Sequence, residues 1–223
     1  MYYCLAVMNP ILRLVLRPWA EGVENVPEEG PVILASNHLS HSDTIFGWLH
    51  VKRRVTQLAG SHFFSGRGIK GFLMRLFLNG IGTVPIDRSG GKASEAGLSS
   101  GLRVLNEGNV LGIYPEGTRS RDGRLYKGRT GVARLALASR APVIPCAMIN
   151  TFEIMPPGRL LPKLGIRPGV KFGKPLDFSR YHGMEGDRLV VRAVTDEVMH
   201  ALMDLSGQEY VDDYAVRTTV SKG

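Results

Sequence analysis

The sequence predicts an α/β fold: a single domain with a central, mostly parallel sheet flanked by helices, preceded by an N-terminal amphipathic helix. Strand-like apolar runs recur along the chain, and helix-like segments fall between several of them. No internal repeat, low-complexity tract or Pro/Ser linker divides the 223 residues, a length that suits one sizeable core. Residues 1–20 are set apart as the amphipathic helix and residues 21–223 as the main domain. In such a fold, functional residues are expected at the carboxyl ends of strands.

Residues 2–19 are the most apolar stretch, but Asn9, Pro10, Arg13 and Arg17 interrupt it. It therefore falls short of the roughly 18–20 apolar residues that cross a bilayer. It also lacks the basic n-region and small-residue cleavage site of a secretory signal. Arg13 and Arg17 lie four apart, hence on one helical face, among Leu12, Leu14, Val15, Leu16 and Trp19. Two readings stand for this segment: a helix lying in a membrane interface with its arginines reaching lipid phosphates, or a terminal helix packed on the core.

Strand runs follow at 32–35, 55–59, 81–86, 110–114, 143–149 and 170–172, and helices are predicted over 94–106, 132–139 and 188–205. In the last helix Val190, Val194, Val198, Ala201, Leu202 and Leu205 share a face, and Gly207 stands where a C-terminal cap belongs. Residues 63–82 place Ile69, Phe72, Leu73, Leu76 and Phe77 at i, i+3, i+4, i+7 and i+8, with Arg67, Lys70 and Arg75 between them. That stripe is read as the buried face of a core helix. The sharper alternative is a second membrane contact or one wall of an apolar tunnel.

Composition is that of a globular protein, with 43% hydrophobic and 22% charged residues. The net charge of +8 and a pI near 9.7 call for an anionic partner. Of nucleic acid, an acidic lipid surface and a phosphorylated substrate, nucleic acid is the weaker option, since zinc-finger spacing, an RNP-like strand and a basic heptad region are all missing. The two cysteines, Cys4 and Cys146, stand in different contexts, which fits a reducing compartment and no disulfide framework. Cys146, in apolar company, is read as a small buried hydrophobe.

The chemistry concentrates in two segments. Asn37-His38-Leu39-Ser40-His41-Ser42-Asp43 follows an apolar run and sets an imidazole and a carboxylate five positions apart. Histidine moves protons near neutral pH, and a nearby carboxylate fixes its tautomer. A spacing of five does not align two residues on a helix face. The pair meets only if His38 lies in the loop before a helix and Asp43 in its first turn. Ser40-x-x-Asp43 has the form of a capping box, Ser42 is a second candidate cap, and Asp43 would complement the helix dipole. Asn37 is expected to hold the loop through side-chain to backbone hydrogen bonds, and His41 is read as a surface residue.

The second segment, Tyr114-Pro115-Glu116-Gly117-Thr118-Arg119-Ser120, also follows an apolar run. Pro115 ends the strand and Gly117 allows close backbone approach to a ligand. Arg119 offers bidentate binding to a phosphate, and Thr118 a hydroxyl. Glu116 is out of place in an anion site unless it binds a ligand hydroxyl or anchors an arginine. Arg121 and Arg124 are read as a solvated basic loop. Arg88, after Asp87 at another strand end, is either a phosphate ligand or merely its neighbour's partner. Walker A and HExxH signatures are absent from the sequence, and no GxSxG stands at a strand-to-helix elbow.

Taken in order, these blocks resemble the glycerolipid acyltransferase family, which includes 1-acylglycerol-3-phosphate and glycerol-3-phosphate acyltransferases. Asn37, His38 and Asp43 match its NHxxxxD block. Ile86, Asp87 and Arg88 match the second, with Pro85 in place of the usual aromatic, and Tyr114 to Ser120 match the third, with tyrosine for phenylalanine. Val143-Ile144-Pro145 resembles the fourth, and Lys127 a basic position that follows the third. The likeness covers residues 30–150, and the chain looks most like actinobacterial members. It implies an acyltransferase domain in which His38 is the general base and Asp43 orients it. Arg88, Arg119 and Lys127 would hold the acceptor phosphate, with Glu116 and Gly117 shaping the glycerol site and Thr118 a further substrate-binding residue. It implies acyl-CoA or acyl carrier protein as donor, a lysophosphatidate-type acceptor, and neither metal nor cofactor. The expected place is the cytoplasmic face of the plasma membrane, as a peripheral or monotopic protein. Two other classes compete: a non-catalytic protein that binds anionic lipid, and a hydrolase in which the same pair activates water.

Overall fold

Val32, Ile33 and Leu34, all fully buried, lie on strand β2 (Val32–Ser36) at the middle of the sheet. The structure, a computed structural model, describes residues 3–61, 64–86, 93–156, 158–159 and 161–216. Seven strands form one sheet, ordered β1 (Trp19–Glu21), β8 (Gly169–Phe172), β7 (Val143–Ile149), β2, β5 (Val110–Ile113), β3 (Val55–Gly60) and β4 (Thr83–Ile86). All neighbours pair parallel except β7 and β8. The predicted mostly parallel sheet is therefore present. The helices are α1 (Tyr3–Val15), α2 (Asp43–Phe46), α3 (Gly68–Gly80), α4 (Ala93–Asn106), α5 (Gly131–Ser139), α6 (Thr151–Ile154) and α7 (Arg188–Ser206). A second, two-stranded parallel sheet joins β6 (Leu125–Tyr126) to β9 (Tyr210–Val211).

Alternation along β2 divides the core into two halves, because successive strand side chains point to opposite faces. Ile33 and Ala35 join Leu111, Leu135, Val194, Val198 and Leu202 beneath α4, α5 and α7. Val32 and Leu34 join Trp48, Val110, Ile144, Met148 and Phe172 on the other face. Each fully buried aliphatic side chain contributes about 1.5–3 kcal/mol, so the central strands are the most firmly fixed part of the molecule. Asp187 caps α7 by accepting the N–H groups of Leu189 and Val190, and Gly207 ends it at φ 69° as predicted. The buried face of α7 is Val191, Val194, Thr195, Val198, Met199 and Leu202, so Val190, Ala201 and Leu205 lie at its margins.

Three expectations change at the N-terminal side. Helix α1 stops at Val15 and Arg17 adopts a left-handed φ of 47°, so Arg13 and Arg17 do not share a helical face. Pro18, whose ring disfavours the α region for the residue before it, is the physical reason. Trp19 already belongs to the sheet, which the apolar pattern of residues 2–19 concealed. The stripe of α3 does not enter the core: Ile69, Phe72, Leu73 and Leu76 are 79%, 58%, 56% and 55% exposed. Helix α3 packs at the sheet margin, against α1 and the edge strand β4. Only its other side is covered, where Phe77 and Leu78 meet Leu16, Phe46, Leu49 and Ile81. On α1, Ile11, Leu14 and Val15 are exposed as well.

Candidate active site

Strands β2 and β5 are parallel neighbours with Ala35 opposite Ile113. Their carboxyl ends therefore release residues 37–43 and 114–120 side by side, where parallel α/β sheets place their sites. The two segments are tied directly: the Ser120 N–H donates to the His38 carbonyl at 2.7 Å.

His38 leaves β2 in the loop, and Asp43 opens α2, as the spacing argument required. His38 Nδ1 and Asp43 Oδ2 are 2.8 Å apart. The same Oδ2 accepts the N–H groups of Leu39 at 2.7 Å and Ser40 at 2.8 Å. The bond from Ser40 N–H is one half of the predicted capping box. The other half is missing: the Asp43 N–H donates to the Ser40 carbonyl at 3.3 Å, and the Ser40 hydroxyl donates to the Met155 carbonyl at 2.9 Å. Asp43 is fully buried, and three donors plus the helix N-terminus offset the cost of placing a carboxylate there. With Nδ1 as the donor to this carboxylate, Nε2 carries the free lone pair. The His38 side chain keeps 17% of its surface exposed while that of Asp43 keeps none, so the base is reachable and its orienter is not.

Tyr114 stacks on the imidazole, with ring centroids 3.9 Å apart and an interplanar angle of 14°. Its hydroxyl donates to Gln57 Oε1 at 3.3 Å. The sequence marks Tyr114 as a strand end and as the tyrosine that replaces the third block's phenylalanine; its stacking on His38 is a contact that neither reading contains. Asn37 behaves as expected, accepting the Met148 N–H at 2.7 Å through Oδ1.

Glu116 is almost fully buried and touches neither an arginine nor open space. Its Oε1 accepts the His38 N–H at 3.1 Å and its Oε2 the Tyr126 N–H at 3.0 Å. Burial pushes its carboxyl up to about 8, outweighing these two donors, which act in the opposite direction. Gly117 sits at φ 73°, a conformation natural to glycine, and its N–H closes a turn on the Tyr114 carbonyl at 3.0 Å. Thr118 and Arg119 follow on this turn, both partly exposed. Among the described residues the Arg119 guanidinium makes no hydrogen bond or ion pair. Partial desolvation lowers its pKa, while the nearby charge of Asp43 raises it.

Lys127 goes elsewhere. Its ammonium pairs with Asp212 at 2.8 Å, and its N–H bonds to the carbonyls of Val211 and Asp213 at 3.0 Å. Arg88 lies outside the described residues. His41 is exposed and makes no bond to Asp43; desolvation, then the charge of Arg119, lower its pKa. Cys146 is buried on β7, and burial raises its thiol pKa well above the ordinary value. Among the described residues no group of three or more His, Cys, Asp and Glu is arranged to hold a metal ion.

The sequence model of the acyltransferase family matches residues 18–149, more than half of the chain. The chain belongs to the acyltransferase family. Its NHxxxxD and Glu-Gly-Thr-Arg segments both lie within the matched span. Among its relatives is the chloroplastic 1-acyl-sn-glycerol-3-phosphate acyltransferase of Arabidopsis thaliana, 31% identical over 139 residues, covering 62% of this chain and 37% of the plant protein. The Bacillus subtilis 1-acyl-sn-glycerol-3-phosphate acyltransferase is 27% identical over 147 residues, covering 65% of this chain and 69% of that one. The chain thus spans well under half the length of its plant relative. Its fold is shared with the crystal structure of the 1-acyl-sn-glycerophosphate acyltransferase from Thermotoga maritima, at a TM-score of 0.64 and 22% identity over 90% of this acyltransferase-family chain and 79% of the other.

Proposed function

We propose that this protein transfers a long-chain fatty acyl group from an acyl-CoA or acyl carrier protein thioester to the free hydroxyl of 1-acyl-sn-glycerol-3-phosphate, giving phosphatidic acid. The observation that carries the reading is the His38–Asp43 contact of 2.8 Å near the guanidinium of Arg119, which has no ion pair among the described residues. His38 Nε2 takes the proton of the acceptor hydroxyl as its oxygen attacks the thioester carbonyl. The tetrahedral intermediate collapses, the C–S bond breaks, and the imidazolium returns the proton to the leaving thiolate. Asp43 holds the tautomer that keeps Nε2 available and stabilises the imidazolium. Direct attack by the acceptor, without an acyl-enzyme, is supported by the engagement of nearby hydroxyls and the thiol. Ser40 bonds to Met155, Ser42 to Ser40, and Cys146 is buried on β7.

Arg119 binds the acceptor phosphate by charge-assisted hydrogen bonds, with Gly117 and Thr118 lining the same turn and Arg88 a further candidate phosphate ligand, whereas Lys127 is engaged by Asp212. The reaction uses neither metal nor cofactor. The exposed apolar faces of α1 and α3 rest on the cytoplasmic side of the plasma membrane, from which a lysolipid and its product exchange. No helix among the described residues is long and apolar enough to cross a membrane.

The test is acyl transfer from a labelled long-chain thioester to lysophosphatidate, with glycerol-3-phosphate and other lysolipids in parallel. Phosphatidic acid is the expected product, and a folded His38→Ala variant should lose about 10²–10⁴-fold in rate. Retained activity in that variant overturns the role of His38. Release of free fatty acid independent of any acceptor points to a hydrolase instead.

A further inference from the structure

We propose that Gln208 is a positioning residue for His38, acting through Asn37; the reaction it serves rests on the function proposed above. Asn37 is the residue next to the base and is fully buried. Its amide has four polar contacts: Met148 N–H at 2.7 Å, the Ser36 hydroxyl at 3.4 Å, Met148 carbonyl at 3.3 Å and Gln208 at 2.6 Å. A backbone N–H only donates, so the atom facing it is Oδ1, and Nδ2 is thereby turned toward Gln208 Oε1. At the far end Gln208 lies 2.6 Å from the Gly123 carbonyl, which only accepts, so the atom there is Nε2. Backbone groups at both ends thus dictate the same orientation of the two amides.

These bonds close a ring around His38. The His38 carbonyl accepts the Ser120 N–H at 2.7 Å, and the Gly123 N–H donates to the Ser120 hydroxyl at 3.1 Å. The Gly123 carbonyl accepts from Gln208, Gln208 accepts from Asn37, and Asn37 is peptide-bonded to His38. Gln208 and Gly123 are the members drawn from outside the two chemical segments, and Gln208 alone lies beyond the matched span of residues 18–149. Its own place is set by the left-handed cap Gly207 that ends α7 and by its N–H donating to the Ser206 hydroxyl at 3.2 Å. The next residues then pair with β6, as the Leu125 N–H donates to the Glu209 carbonyl at 2.9 Å.

The ring of His38 is already held by Asp43 and Tyr114, and its N–H by Glu116. Gln208 governs the remaining degree of freedom, the path of the loop through Asn37. Catalytic groups need placement within about 0.5 Å, and a small drift of the base lowers turnover more than substrate affinity.

The experiment uses the full chain with Gln208→Met, which keeps volume and removes both hydrogen bonds, together with Asn37→Ala and the double variant. Gln208→Met should lower kcat about tenfold or more with the KM for lysophosphatidate within about twofold, and the double variant should be no slower than Asn37→Ala alone. Gln208→Glu, which keeps the acceptor for Asn37, should fall between wild type and Gln208→Met. Imidazole ¹⁵N spectra of the free protein should show the His38 signals displaced in Gln208→Met and those of His182 and His200 unchanged. Wild-type kcat in Gln208→Met, losses that multiply in the double variant, or a Gln208→Glu no better than Gln208→Met overturns the proposal. If the wild-type chain transfers no acyl group, the function proposed above fails, and undisplaced His38 signals then decide against Gln208 separately.

Discussion

The carboxylate of Glu116 accepts the backbone N–H of His38 at 3.1 Å while its second oxygen holds the N–H of Tyr126 at 3.0 Å. An acid that reads in the sequence as a ligand to substrate is thereby a clamp between the base and strand β6. Its two oxygens are spent on backbone donors, and what it contributes to the site is the position of the main chain at His38.

That clamp gives stability a specific pH dependence. The Glu116 carboxyl is pushed up to about 8 in the folded protein, from an ordinary value of 4.5, chiefly by burial. Between those values the folded state binds a proton that the unfolded state has released. Stability from this group is therefore full below about 4.5 and is lost as pH rises through about 8. Urea midpoints of the wild type should fall between pH 5 and pH 8, and Glu116→Gln should flatten that slope. At pH 5 the variant should be weaker by about 1–3 kcal/mol, since its NH₂ faces one backbone N–H. Equal slopes in the two proteins would rule this account out.

Asp43 separates charge from hydrogen bonding. An asparagine there keeps an oxygen for the N–H groups of Leu39, Ser40 and the His38 ring, but loses the negative charge that stabilises an imidazolium. Asp43→Asn should therefore melt near wild type and lose on the order of 10²-fold in kcat. Asp43→Ala leaves the same three donors, now buried, without an acceptor and should lose about 2–4 kcal/mol. Thermal melts alongside turnover decide it, and equal melting temperatures in the two variants would contradict the bonding pattern.

Arg119 and Lys127 look equivalent as cations in the sequence and differ in the fold. Arg119 is unpaired among the described residues, whereas Lys127 is spent on Asp212 at 2.8 Å. Arg119→Ala should raise the KM for lysophosphatidate about 10–100-fold, the value of one or two charge-assisted bonds. Lys127→Ala should change it by less than about threefold. Saturation kinetics with lysophosphatidate read both, and a larger effect at Lys127 reverses the assignment.

The contrast marks what a linear pattern encodes. The central strands, α4, α5 and α7 were legible because their periodicity is created by burial on a known face. The His38–Asp43 meeting was legible because a spacing of five admits one local solution. Strands β1, β6 and β9 were not, since two or three residues carry no periodicity and are strands only by virtue of distant partners. The roles of Glu116 and Gln208 depend on which backbone donors and acceptors lie opposite them, 78 residues away for His38 and Glu116, and 171 for Asn37 and Gln208. Helix α3 shows the converse: its stripe was plain, but a period of 3.6 says nothing about what covers it.

What covers α3 is open to a direct measurement. Phe72 and Leu76 are 58% and 55% exposed, one turn apart on the outer side of a helix whose inner side is held by Phe77 and Leu78. Replacing both with glutamine adds no charge and removes no internal contact of the core. Folding stability should shift by no more than about 0.5 kcal/mol, as for other exposed positions. A large apolar side chain moved from water into lipid is worth about 1.5–3 kcal/mol when fully buried. Partial insertion of two such groups, lost together, should weaken cosedimentation with phosphatidylglycerol-containing vesicles by at least about tenfold. Binding that is unchanged in the Phe72→Gln/Leu76→Gln variant, yet falls with added salt, would assign the attraction to the net charge of +8 alone and leave the α3 stripe without a lipid contact.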